Sequence, residues 1–120
     1  MADAGKLERF ENPHPGRDYL IEHTAEEFTS VCPNTGQPDF ATVVLSYVPG
    51  QWCVELKSLK LYLTDYRNQD IYYENVTNVI LDDLAKLCRP RWMQIECHWS
   101  VRGGIHSRTV AATGAQPEGL

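Results

Sequence analysis

One cysteine of the four stands apart by its surroundings. Cys32 lies in the run Ser30-Val31-Cys32-Pro33-Asn34-Thr35-Gly36-Gln37-Pro38-Asp39, a loop by composition because prolines, a glycine and an asparagine crowd together. A thiol is a usable nucleophile, since part of it is thiolate at neutral pH and thiolates are intrinsically reactive. Asp39 stands where the loop turns into a strand, a rigid support for a catalytic group. An ionised carboxylate beside sulfur opposes thiolate formation. A protonated, partly buried one can instead give its proton to a substrate as sulfur attacks. Cys32 and Asp39 together therefore suit addition to an unsaturated C–N bond, whose nitrogen must gain a proton. Spacing alone leaves open an ordinary loop cysteine and an Asx-turn aspartate.

Other residues offer binding rather than bond-making. Glu55-Leu56-Lys57-Ser58-Leu59-Lys60 crosses from a strand pattern into a helical one, which puts Lys57 and Lys60 on one face of the first turn. Free N–H groups at a helix start with two ammonium groups nearby form a phosphate clamp, and Arg102 on a glycine-flanked turn adds a bidentate contact. A solvated charged face is the plainer alternative. Glu74 opens a second helical pattern, where the dipole favours a carboxylate; it could also accept two N–H bonds from a guanidine-like heterocycle edge. Tyr72 and Tyr73 are either core or a stacking platform. Cys53, Cys88 and Cys97 sit in apolar patterns and read as small hydrophobes. Without a CxxC pair or a second ligand at metal spacing, neither the cysteines nor His98 points to a metal.

The elements that must position these groups follow from periodicity. Residues 18–23 are expected as a short strand, and Thr24 with the following AEEF as a capped helical turn. Residues 40–48 read as a strand, Pro49-Gly50 as a turn, and 51–55 as the returning strand of a hairpin. Leu59, Tyr62, Leu63 and Tyr66 recur at helical spacing from Ser58 onwards. Val76, Val79, Ile80, Leu84 and Leu87 form a clearer helical stripe that Pro90 stops. From Met93 to Val101 apolar and polar residues alternate, a half-buried strand; Arg102-Gly103-Gly104 turns the chain and 105–110 returns. The expectation is an α+β domain over 18–110, an antiparallel sheet with two helices on one face, between flexible ends at 1–17 and 111–120. Hydrophobic groups on both faces of the 40–48 strand call for a neighbouring subunit.

Bulk properties narrow the partners. A chain of 120 residues with 42% hydrophobic content suits one core. No window approaches the about 18 apolar residues of a membrane span, and the first residues lack an apolar signal region, so the cytoplasm is expected. A net charge of −5 with no basic block disfavours nucleic acid as main partner.

The segments VCPNTGQPDF, ELKSLKLY, Tyr73-Glu74-Asn75 and Arg102-Gly103-Gly104 occur in one order. Jointly, over about residues 19–107, they resemble the QueF family, nitrile reductases acting on 7-cyano-7-deazaguanine, in their short single-domain form. The resemblance implies the tunnelling fold, hairpins and two helices assembling into an oligomeric barrel with active sites between subunits. It implies a four-electron reduction with two NADPH. Cys32 would form a covalent thioimide and Asp39 would protonate nitrogen. Glu74, Tyr73, Glu55 and Leu56 would lie at the base, with Lys57, Ser58, Lys60 and Arg102 at the NADPH phosphates. Two departures from the family pattern matter: Tyr73 replaces a common histidine, and Val101 a common proline. An amidino-transferring relative acting on the same nitrile in transfer RNA, or a non-catalytic purine-binding ring, are the alternatives.

Overall fold

Along Pro38–Val48 the side chains of Asp39, Ala41, Val43, Leu45 and Tyr47 are buried, while Pro38, Phe40, Thr42 and Val44 are exposed or half-buried. That period of two makes this strand, β3, the centre of the domain. The computed structural model describes residues 2–120. It contains β1 (Arg9–Glu11), β2 (Ile21–Val31), β3 (Pro38–Val48), β4 (Trp52–Val54), α1 (Leu56–Thr64), α2 (Tyr73–Cys88), β5 (Trp92–Arg102) and β6 (Ile105–Gly114), with short 3₁₀ turns at Ala4–Lys6 and Asp65–Asn68. Four strands form one antiparallel sheet in the order β2-β3-β5-β6. This is the expected α+β arrangement.

Both helices cover one face of that sheet. Val76, Ile80 and Leu84 of α2 are fully buried against Val43 and Leu45 of β3 and Met93, Ile95 and Cys97 of β5. Each such aliphatic side chain contributes about 2 kcal/mol by leaving water. α2 ends where Arg89 turns left-handed at φ 48° and its N–H closes on Ala85, with Pro90 preventing continuation. Neither helix is long and apolar enough to cross a membrane.

Several local expectations are corrected. Residues 52–54 do not return beside β3, because β2 and β5 occupy both its edges; they pair with β1 instead, Phe10 opposite Cys53. The helical turn expected at 24–28 is part of β2. Ala25 faces Val43 and Phe28 faces Ala41, so one extra residue makes a bulge there, and the ladder with β3 outweighs local capping propensity. The first strand starts at Ile21 rather than Asp18, and α1 at Leu56 rather than Ser58. The leading segment 1–17 carries β1 and a buried Asn12, whose amide donates to Gly50 and whose carbonyl oxygen accepts from His14 N–H and Tyr19 Oη. The last strand runs on to Gly114, into the segment expected as a flexible tail.

Candidate active site

The loop after β2 is closed by its own backbone. Cys32 N–H donates to Gln37 O at 2.9 Å, and Gly36 N–H donates to Cys32 O at 2.8 Å. Gly36 lies at φ 71°, where a Cβ is costly, so this turn needs glycine. The Thr35 hydroxyl, then the N–H groups of Thr35 and Asn34, hold the half-buried Cys32 thiol below its ordinary pKa. Desolvation and the charge of Asp39 push the other way and are outweighed. The other flank of the loop is stitched to the segment that leads into α2. Val31 N–H donates to Gln69 O at 2.9 Å and Ile71 N–H to Val31 O at 3.0 Å.

Asp39 is 3% exposed and lies on the helix-covered face. Arg102 meets it there, Nε to Oδ1 at 3.1 Å, and also donates to Gln37 Oε1 and Pro38 O. A regular strand would send Arg102 to the opposite face from Trp99. Trp99 faces Ser107, however, and Arg102 faces Ile105, so one residue is bulged between them and the arginine is turned over. Gly103 and Gly104, at φ 56° and 77°, make the two-residue turn that holds it there.

Tyr73 completes the cluster. Its Oη donates to Asp39 Oδ1 at 3.4 Å, and its ring stacks on Trp99 with centroids 3.9 Å apart and an 11° interplanar angle. Trp99 Nε1 donates to Thr109 Oγ1 at 3.0 Å, Thr109 shares a 2.6 Å hydrogen bond with Thr77, and Thr77 Oγ1 donates to Tyr73 O at 2.9 Å. Stack and hydrogen bonds form a closed ring that fixes the phenol. Burial and the neighbouring carboxylate raise the Tyr73 pKa, so the phenol keeps its proton and donates.

The remaining residues fall into two groups. Glu74 is exposed in the first turn of α2, next to this cluster. Glu55, Leu56, Lys57, Ser58 and Lys60 lie at the start of α1, the far end of a nine-residue helix from the segment that meets Val31. That separation is about 13 Å of helix alone. No hydrogen bond or ion pair joins them to Cys32, Asp39 or Arg102 among the described residues. The start of α1 also corrects the phosphate-clamp expectation in part. Its N–H groups are not free: the Glu55 carboxylate accepts from Lys57 N–H and Ser58 N–H, both at 2.8 Å. Ser58 is buried, donating to Glu55 O and accepting from Glu8 N–H. Lys57 and Lys60 remain exposed cations. A cavity of about 420 Å³ between the β2 bulge and α1 includes Leu56 and Lys60 but neither Cys32 nor Asp39, so this hollow is not where the chemistry gathers.

A family model described as "QueF-like protein" matches residues 38–118. The "NADPH-dependent 7-cyano-7-deazaguanine reductase" of Nitrosococcus oceani is 58% identical over 112 residues, 93% of this chain and 86% of that protein. The protein of the same name from Thermomicrobium roseum is 56% identical over 114 residues, 95% and 89% of the two chains. Among solved structures, the archaeosine synthase QueF-Like in its apo form superposes with a TM-score of 0.75 at 22% identity, over 82% of this chain and 96% of that one. This last likeness carries the fold alone, the tunnelling fold.

Proposed function

The chain belongs to the QueF-like family, and on that premise we propose that it is an NADPH-dependent reductase of the nitrile of 7-cyano-7-deazaguanine. The product is the primary amine 7-aminomethyl-7-deazaguanine, a step of queuosine biosynthesis. What supports the mechanism is that one closed loop holds Cys32 against Gln37, two residues from the buried carboxyl group of Asp39, with the thiol below its ordinary pKa. Sulfur of Cys32 adds to the nitrile carbon, the C–S bond forms, and one C–N π pair moves to nitrogen, which takes a proton from Asp39. The result is a thioimide. NADPH, when bound, would supply the two hydrides that reach the carbon, the first while it is still joined to the sulfur of Cys32 and the second after that C–S bond has broken. Two hydrides and two protons balance the change from nitrile to amine.

For Asp39 to serve as proton donor, it must give up its contact with the Arg102 guanidinium, which is always charged. The freed guanidinium would then be available to the phosphates of NADPH. The residues fit such a ligand in part: Lys57, Lys60 and Arg102 can neutralise phosphates, while the backbone of the α1 start is already capped. Glu74, in the first turn of α2, would accept from the amino-pyrimidinone edge of the base, and the backbone of Glu55 and Leu56 would line it.

Lys57, Leu56 and Cys32 can serve one substrate only if a second copy of the chain brings the start of its α1 to this loop. The active enzyme is therefore read as a homo-oligomer with sites between subunits. A free small molecule is the substrate rather than nucleic acid, in keeping with the net charge of −5, and the setting is cytoplasmic.

The test is direct. Protein mixed with 7-cyano-7-deazaguanine should develop the absorbance of a thioimide, and added NADPH should be oxidised at two per nitrile. Cys32→Ala should give neither signal; a normal turnover in that variant removes the mechanism. An adduct that forms but never draws on NADPH would favour the amidino-transfer alternative.

A further inference from the structure

Ser30 carries the one fully buried side-chain oxygen or nitrogen without a hydrogen-bond partner among the described residues. The residue is 0% exposed. Leaving a hydroxyl in that state is costly, so its place in the fold invites a reason. Across the β2–β3 ladder Ser30 lies directly opposite Asp39. Opposed residues share a face of the sheet, with Cβ atoms about 5 Å apart. The orphan hydroxyl and the Asp39 carboxyl group are therefore one side-chain rotation from each other, and Ser30 is two residues before Cys32.

In the present arrangement Asp39 makes no hydrogen bond to Ser30. Its Oδ1 meets Arg102 and Tyr73, while Oδ2 has no protein partner among the described residues. Ser30 can donate to the carbonyl oxygen of the carboxylic acid, which leaves the acid O–H for the nitrile nitrogen, and to the carboxylate once that proton has left. The charge of Arg102, by contrast, favours the ionised form. We propose that Ser30 is a positioning residue for Asp39, its hydroxyl being the second docking point the carboxyl group takes when Arg102 lets go. Docked there, the carboxyl group presents its other oxygen to the nitrile nitrogen.

The inference rests on the nitrile-reductase reading, and Ser30→Ala tests it without endangering the fold. Deleting an unpartnered buried hydroxyl removes a desolvation penalty, so the melting temperature should hold or rise. Alkylation of Cys32 by iodoacetamide needs no proton donor and should proceed at the wild-type rate. Thioimide formation with 7-cyano-7-deazaguanine should slow by about tenfold or more, a fraction of what general acid catalysis supplies, with unchanged affinity for the nitrile. Adduct formation at the wild-type rate overturns the assignment. So does a joint fall in melting temperature, alkylation and adduct formation, which would mark Ser30 as structural. If wild type itself forms no adduct, the reductase reading fails and the role of Ser30 falls with it.

Discussion

At the scale of single residues, the four thiols divide by environment. Burial pushes the Cys88 thiol up to about 12 and raises that of Cys97, while Thr35 and its neighbours lower that of Cys32. Iodoacetamide at neutral pH should therefore label one cysteine per native chain, and peptide mapping should find it at Cys32. Because the lowered pKa sets the thiolate fraction, the alkylation rate should rise with pH through a midpoint below that of free cysteine. Thr35→Val removes the first cause and should move that midpoint up; an unmoved midpoint would deny the hydroxyl its role. Arg102 separates from the lysines on similar grounds. It touches Asp39 and they do not, so Arg102→Ala should alter thioimide formation as well as NADPH use. Replacing Lys57 and Lys60 should raise the NADPH requirement and leave adduct formation intact, as stopped-flow absorbance would show. The loop composition around Cys32 was legible in the sequence. The hold of Thr35 on sulfur was not, since it depends on a turn closed by a left-handed Gly36.

Among the elements, legibility followed how much of the structure each one needs. The stripe of α2 and the alternation of β5 declare themselves because their burial pattern is a local periodicity. The bulges in β2 and β5 do not, because an extra residue is defined only against a partner strand. Yet the second bulge is what turns Arg102 toward Asp39. Trp52–Val54 was legible as a strand and not as the partner of β1, since a turn signal says nothing of which edges are free. Glu55 shows the same limit: it was expected at the base, and its side chain caps α1. That cap makes a pH prediction. The two N–H bonds hold the Glu55 pKa down, so the folded state gains from the ionised form. The gain is present above the ordinary glutamate range and is lost as pH falls through the depressed folded value. Wild type should thus melt higher than Glu55→Ala at neutral pH, and the gap should close on acidification. A gap independent of pH would show that the carboxylate charge is not what holds the helix start.

For the whole molecule, the open sheet decides how a site can be completed. β2 and β6 are edge strands of 11 and 10 residues, long enough to pair with further copies. The face away from the helices exposes Phe40 and Val110, and the hairpin tip exposes Val101 and Ile105. Such edges and apolar groups favour closure into a ring. The shared site proposed above requires that closure bring the start of α1 in one copy to the Cys32 loop of the next. This has a consequence that activity alone can read. A Cys32→Ala chain retains Lys57 and Lys60, and a chain with both lysines replaced by alanine retains Cys32. With NADPH held well below the raised requirement of the lysine variant, each variant alone should be nearly inactive. If sites are shared between copies, refolding the two together at equal amounts pairs a good loop with a good helix start at random. About one quarter of the sites would then be whole, and NADPH oxidation should recover to about that fraction. If every site is built within one chain, no mixture can place the two intact halves together, and the rate should stay at the sum of the separate variants. Mixing without refolding should lag behind, at the pace of subunit exchange.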